Sequence, residues 1–485
     1  MKKVIFCAVA LMIGAVGLAQ TTPDSPSAPA NAKNLTPLAP APATANMSKS
    51  IQNGNENKVA VKQIGTSQGA YTDQGNGTGT GGNQARILQT GNVSGGLSGE
   101  SNMAELNQRG TENQSTQYQF GDFNESLVNQ GMTNTGSAHN KAQVQQGASG
   151  AQQGENNKAQ VDQDGNDNQA RTQQRFDNNE ALTDQSGNGN YADIGQNATP
   201  NQSDGHAAEV RQTGDENDAW VRQTGVGGRN EAVSRQDGES NYSWQNQYST
   251  DPIDQNGSNN AAVFQGTNGG NAMTVAIDTD MKTNVDDYSG GLNNTSVRNA
   301  AFQDQYGDDN TAAAFQRGED NYSEQNQLGD YNEALTIQSF YDPSSGTGDN
   351  YAKQSQDGDF NQAGIGQGGY GNRALQSQIG NGNKALSVQQ GHDNDVNTHQ
   401  LGNMNSATTA QRAQDNDILV VQYDGQSAVV EQNLTSGGGN NTANIYQSGP
   451  DGGGGAIDCG FDPRLPQTPR NPIDCFEIPD VCSGC

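Results

Sequence analysis

Residues 157–179 read NKAQVDQDGNDNQARTQQRFDNN, and in them Asn157, Asn168 and Asn179 stand eleven residues apart. Two positions after the first two of these come Ala159 and Ala170, four positions after come Val161 and Thr172, and six after come Gln163 and Gln174. The marked residues all fall at even offsets. A period of two is the signature of a β-strand with one face turned inward. Between each Gln and the next Asn lie four residues, commonly with glycine second, as in Gln316-Arg317-Gly318-Glu319-Asp320-Asn321. Glycine adopts positive φ freely, which a tight corner needs. Strand and corner together fill eleven residues.

The same step carries Asn350, Asn361, Asn372, Asn383, Asn394, Asn405 and Asn416, and again Asn299, Asn310, Asn321 and Asn332. Internal repetition at a fixed period marks an array in which each unit buries its face only against its neighbours. The sequence therefore predicts an all-β, two-sheet β-solenoid, a cross-β stack of rungs of about 22 residues, each made of two 11-residue strand-turn units. The repeats are expected over 46–449. Extra residues interrupt the register at Gly75 to Gly82, Gly95 to Ser101, Gly266 to Gly291 and Tyr341 to Asp349. Such insertions are expected to form loops on one edge.

Composition explains why the repetition matters. Only 30% of the 485 residues are hydrophobic, 63 are glycine and the formal net charge is -29. A chain of that kind cannot build a core of large aliphatic residues and would ordinarily stay disordered. An inward Asn or Gln is costly unless its carbonyl and amide groups are all paired. Identical amides recurring in every rung solve this by donating to one neighbour and accepting from the other, as in cross-β ladders. The candidate ladder positions include Asn157 and Gln163, Asn168 and Gln174, Asn217 and Gln223, Asn310 and Gln316. They continue with Asn332 and Gln338, Asn361 and Gln367, Asn372 and Gln378, and Asn383 and Gln389. The odd positions, such as Lys58 and Lys62 or Asp218, Trp220 and Arg222, are expected to face water or a lateral neighbour.

Gln163 to Gln174, Gln212 to Gln223, Gln378 to Gln389 and, with Ser115 for Ala, Gln108 to Gln119 follow Gln-x-Gly-x-x-Asn-x-Ala-x-x-x-Gln. This pattern resembles the curlin repeat of curli major and minor fibre subunits. The resemblance implies an extracellular, cell-surface functional amyloid for adhesion and biofilm matrix, polymerising by end-to-end stacking. The partners it implies are further copies of the chain, a nucleator or other curlin-like subunit, and outer-membrane secretion machinery.

The flanks fit export. Lys2 and Lys3 precede an apolar run from Val4 to Leu18 with small residues at Gly17 and Ala19, so 1–20 reads as a signal peptide. Residues 21–45 form a Pro/Ala-rich linker, and 450–485 a Gly/Pro/Cys-rich tail. Cys459, Cys475, Cys482 and Cys485 are disulfide candidates with three possible pairings, and zinc binding by the Cys482/Cys485 pair is the alternative. No membrane span is expected in the mature chain. The absence of a basic stripe argues against nucleic acid.

His139, His206, His392 and His399 are scattered through repeats and turns, with no spacing for a metal site or catalytic dyad. Acidic pairs such as Asp308-Asp309 and Glu319-Asp320 sit in turns as solvated corners or gatekeepers. Columns of such acids bridged by calcium are the sharper reading. Trp220, Trp244, Tyr242, Tyr322 and Tyr351 fall at outward offsets, suited to lateral packing or to adhesion. No catalytic constellation or cofactor is expected. A capped monomeric solenoid adhesin, binding a surface or ice, is the alternative to the fibre subunit.

Overall fold

In each repeat the small inward residues Ala and Val leave room for a second strand close behind. The structure, a computed structural model, describes residues 45–448 except 76–80, 91–98, 134–135, 148–153, 200–204, 227, 251–257, 267–295, 339–347 and 434–437. The segment expected to be a signal peptide, nearly all of the expected linker, the tail with its four cysteines, and most of the longest insertion lie outside the described residues. Those described form β-strands and corners with no helix.

Two compact units are present, one ending at Asn321 and the other beginning at Tyr322. In the first, strands fall alternately into two parallel sheets. Lys158–Asn166 pairs with Glu180–Asn188 in one sheet, and Gln169–Arg175 pairs with Tyr191–Asn197 in the other. Successive strands thus lie on opposite sheets, and each hydrogen-bonds to the strand one rung away. The second unit repeats the plan: Gln362–Tyr370 pairs with Lys384–His392, and Arg373–Ile379 with Asp395–Leu401. The fold is a β-solenoid, with rungs averaging about 24 residues. The spacing is 22 between Gln163 and Gln185, 27 between Gln185 and Gln212, and 51 between Gln265 and Gln316. Insertions therefore lengthen individual rungs while the strands on either side keep one register.

Between the sheets, Ala181, Ala192, Ile194, Ala208, Val210, Ala219, Val221 and Ala232 form one buried cluster. Corner glycines let the backbones close. Gly165, Gly187, Gly214 and Gly238 have φ of 105°, 121°, 108° and 133°. A Cβ on each of the first three would lie 2.0–2.1 Å from the carbonyl oxygen of the next glycine in the column.

The outward faces differ from the sequence expectation of simple exposure. From Leu127 onward in the first sheet of the first unit the middle outward position is buried, as at Leu127, Leu182, Glu209, Val233 and Ala262. In a parallel in-register stack each side chain is walled by its counterparts above and below. Longer residues two positions along, such as Arg211 and Arg235, complete the enclosure.

Candidate functional site

The inward Gln of each arm extends far enough to reach the Gln of the next rung. In the first unit one chain of such contacts runs Gln52, Gln74, Gln108, Gln130, Gln163, Gln185, Gln212, Gln236, Gln265 and Gln316. A second runs Gln63, Gln89, Gln119, Gln146, Gln174, Gln196, Gln223, Gln247 and Gln305. In every step Nε2 of the earlier rung donates to Oε1 of the later one. The distances are 2.8–3.0 Å.

In the second unit, Gln338, Gln367, Gln389, Gln411 and Gln432 form one ladder and Gln327, Gln356, Gln378, Gln400, Gln422 and Gln447 the other. The direction is the same. Within the ladders a second amide hydrogen goes to backbone, as from Gln174 to the Lys158 carbonyl at 2.9 Å.

The Asn columns run the opposite way. The backbone N–H and Nδ2 of Asn190 donate to Oδ1 of Asn168 at 3.1 and 3.0 Å, and Asn217 donates to Asn190 in the same manner. Asn190 Nδ2 also reaches the Gly214 carbonyl in the corner of the next rung at 2.7 Å. Asn157, Asn310, Asn332, Asn361, Asn372 and Asn383 occupy equivalent buried places in their columns. Each amide thereby joins neighbouring rungs through side chain and backbone together.

Residues 165–197 match the curlin associated repeat.

No curated protein matches the chain. The matched curlin repeats hold Asn168, Gln174, Asn179, Gln185, Asn190 and Gln196, consecutive members of the ladders just described. The matched repeat and the two-sheet solenoid are consistent with a curli-type structural protein.

The first-sheet Asn column of the first unit holds two residues other than Asn, Gln68 above Asn46 and, deeper in the stack, His206. His206 stands where the curlin repeat has Asn, between Asn179 and Asn230. Its signal was available: His206, Ala208, Val210 and Gln212 keep the spacing of an arm. Of the other histidines, His139 lies 3.2 Å from Glu112 on an exposed corner, His392 stacks on Tyr370 at 4.9 Å, and burial lowers His399.

Corner acids make a further ladder that reading them as solvated did not foresee. Asp215 Oδ1 accepts the N–H and Nδ2 of Asn188 from the previous rung, both at 2.9 Å. Asp308 is buried and accepts from the N–H and hydroxyl of Thr250. Among the described residues no group of three or more His, Cys, Asp or Glu is placed to hold a metal ion.

Charges on the outward faces pair within a strand and across rungs. Buried Glu209 meets Arg211 and Arg235 at 2.8 Å each, and Asp193 meets Arg222 at 2.8 Å. Asp162 and Asp184 are register partners. Burial, chiefly, pushes both carboxyls up, and Asp162 adds to the rise at Asp184. Raised folded values mean that these two acids add stability as pH falls through them.

Aromatic residues also stack from rung to rung. Tyr322 and Tyr351 are parallel at 5.0 Å, and so are Tyr331 and Phe360 at 4.9 Å. On the second sheet of the first unit Tyr191, Trp220 and Trp244 lean over one another at 5.1 and 6.1 Å with tilts of 39° and 35°. Both tryptophans of the chain stand in this strip.

Proposed function

We propose that this protein is a secreted structural subunit that polymerises into a curli-type extracellular fibre by continuing its own stack, serving adhesion and biofilm matrix. The observation that carries this reading is the fixed polarity of the ladders. At the first rung, the carbonyl oxygens of Gln52 and Gln63 receive no donor from an earlier rung among the described residues. At the last, Gln432 and Gln447 give one amide hydrogen to backbone and keep the other for a later rung. One end thus offers acceptors where the other offers donors. A second copy arriving in the same orientation completes both ladders, whereas a reversed copy sets like groups against like.

Other features of the ends support the same reading. Val59 and Val61 at the start, and Ala443 and Ile445 at the finish, are only partly buried members of their clusters. Unpaired edge strands are templates for further pairing. Continuing the alternation places Met47–Gln52 of the incoming copy on Ser427–Gln432, and Lys58–Ile64 on Thr442–Gln447. The tilted strip of Tyr191, Trp220 and Trp244 supplies an aromatic outward face for adhesion.

The double variant V429P/N444P tests the polymer. The register puts the N–H groups of both residues on the open side of their strands, so proline there spares the bonds to the preceding rung. Followed by thioflavin fluorescence and electron microscopy, wild-type chain is expected to form fibres after a lag that seeding shortens. The variant is expected to remain folded and fail to elongate. Elongation at the wild-type rate would reject end-to-end growth through this edge.

A further inference from the structure

We propose that His206 is a proton-operated latch in the first unit: protonating its imidazole opens the stack between the strands Glu180–Asn188 and Glu231–Glu239. These strands flank Ala207–Asp215, which pairs with one on each side. His206 leads directly into that middle strand and is fully buried.

At the rungs on either side an Asn, Asn179 or Asn230, fills this place. Its Oδ1 accepts from the next rung, and an amide carries no proton that moves in the physiological range. At His206 the N–H donates to Asn179 Oδ1 at 3.1 Å, as an Asn would. The ring replaces the Asn oxygen with Nδ1, which accepts the Asn230 N–H at a longer 3.3 Å. Accepting there requires Nδ1 to be unprotonated and places the neutral ring's proton on Nε2. Nε2 has no well-formed hydrogen-bond partner among the described residues.

The rung is also less firmly tied beyond the ring. Among the described residues Asn230 Nδ2 reaches the Thr224 carbonyl at 3.3 Å and Ser249 Oγ at 3.4 Å. Asn190 Nδ2 makes its corner bond at 2.7 Å.

A proton on Nδ1 would set donor against donor at Asn230 and leave a cation without water. The charged group acting on the ring is Arg229, which opposes protonation and is itself held by Glu180 at 2.7 Å and Glu231 at 3.1 Å. Burial, first, lowers the imidazole from 6.5 to about 4; the Asn197 backbone opposes it, and Arg229 adds a smaller lowering. The closed rung therefore keeps its full stability above pH 6.5 and loses it as pH falls from there toward 4. In that window an opened rung takes up the proton and the closed rung does not, a bias of about tenfold per pH unit. The raised carboxyls of Asp162 and Asp184 respond in the opposite sense, so acid loosening at this place is not a general effect of neutralising acids.

Hydrogen exchange read by mass spectrometry on the full chain, wild type beside His206→Asn, tests the latch. After correction for intrinsic rates, protection of Ala207–Asp215 in the wild type is expected to fall by roughly 20-fold from pH 7 to pH 5. In the variant it is expected to hold. An equal fall in both proteins, or no fall in the wild type, overturns the proposal. Should the variant not fold, wild-type protection decides: a loss confined to the rungs around His206, with Gln362–Tyr370 unchanged, supports the latch. A uniform loss or none rejects it.

Discussion

Replacing Gln212 by leucine is expected to destabilise the first unit by about 4 kcal/mol, although leucine fills a similar volume and is far more hydrophobic. The substitution strips two buried side-chain groups of their ladder partner and takes a second donor from two carbonyls, of which that of Asn217 keeps the Tyr191 N–H at 2.8 Å. Gln185 Nε2 loses its acceptor, Gln236 Oε1 its donor, and the carbonyls of Tyr191 and Asn217 the amide hydrogen that each receives. Each of the two side-chain orphans costs about 1–3 kcal/mol, and the weakened carbonyls add less. For comparison, Val210→Ala, in the same strand and also fully buried, removes two methyl groups and is expected to cost about 2 kcal/mol. Chemical denaturation of the two unassembled variants gives the order. A leucine variant more stable than the alanine one would mean that the amide ladder is not what holds the rungs.

The second large effect is expected at a corner. Gly187 has φ of 121° and sits between Gly165 and Gly214 in a column where each glycine faces the next one's carbonyl. In Gly187→Ala the new methyl would lie 2.0 Å from the Gly214 oxygen, and the backbone angle is itself unfavourable for alanine. Neither problem is relieved by a rotamer. A loss of at least about 3 kcal/mol is expected, measured by the same denaturation experiment. Gly425→Ala is the control, since its φ is 70° and nothing lies within 4 Å of the added carbon. It should cost no more than about 1 kcal/mol.

The repeat unit was legible because its physics is local. Asn157, Ala159, Val161 and Gln163 announce one inward face, and a spacing of eleven leaves four residues for a corner. Stacking could be inferred because buried amides have no other economical way to be satisfied. What depends on which rung lies above which was not legible. The pairs Glu209 with Arg235 and Asp193 with Arg222 are 26 and 29 residues apart, distances set by the insertions as much as by the repeat. The role of Asp308 was hidden for the same reason: its partner Thr250 is 58 residues away. Burial of Leu182 and Val233 on the outward face came from their flanking neighbours, which alternation alone does not weigh. His206 was different. Its distance of six from Gln212 marks it as an anchor, but a histidine where the motif expects asparagine does not stand out unless the arms are aligned one by one.

The central claim, that copies join head to tail through their ladders, is tested most directly by a photo-crosslinking amino acid at Asn444. Its position is exposed on the last strand, Thr442–Gln447. Illumination during assembly, followed by digestion and mass spectrometry, is expected to join Asn444 of one copy to residues within Lys58–Ile64 of another. Crosslinks between Asn444 and the Thr442–Gln447 strand of a second copy, or no intermolecular crosslink in assembled material, would contradict it.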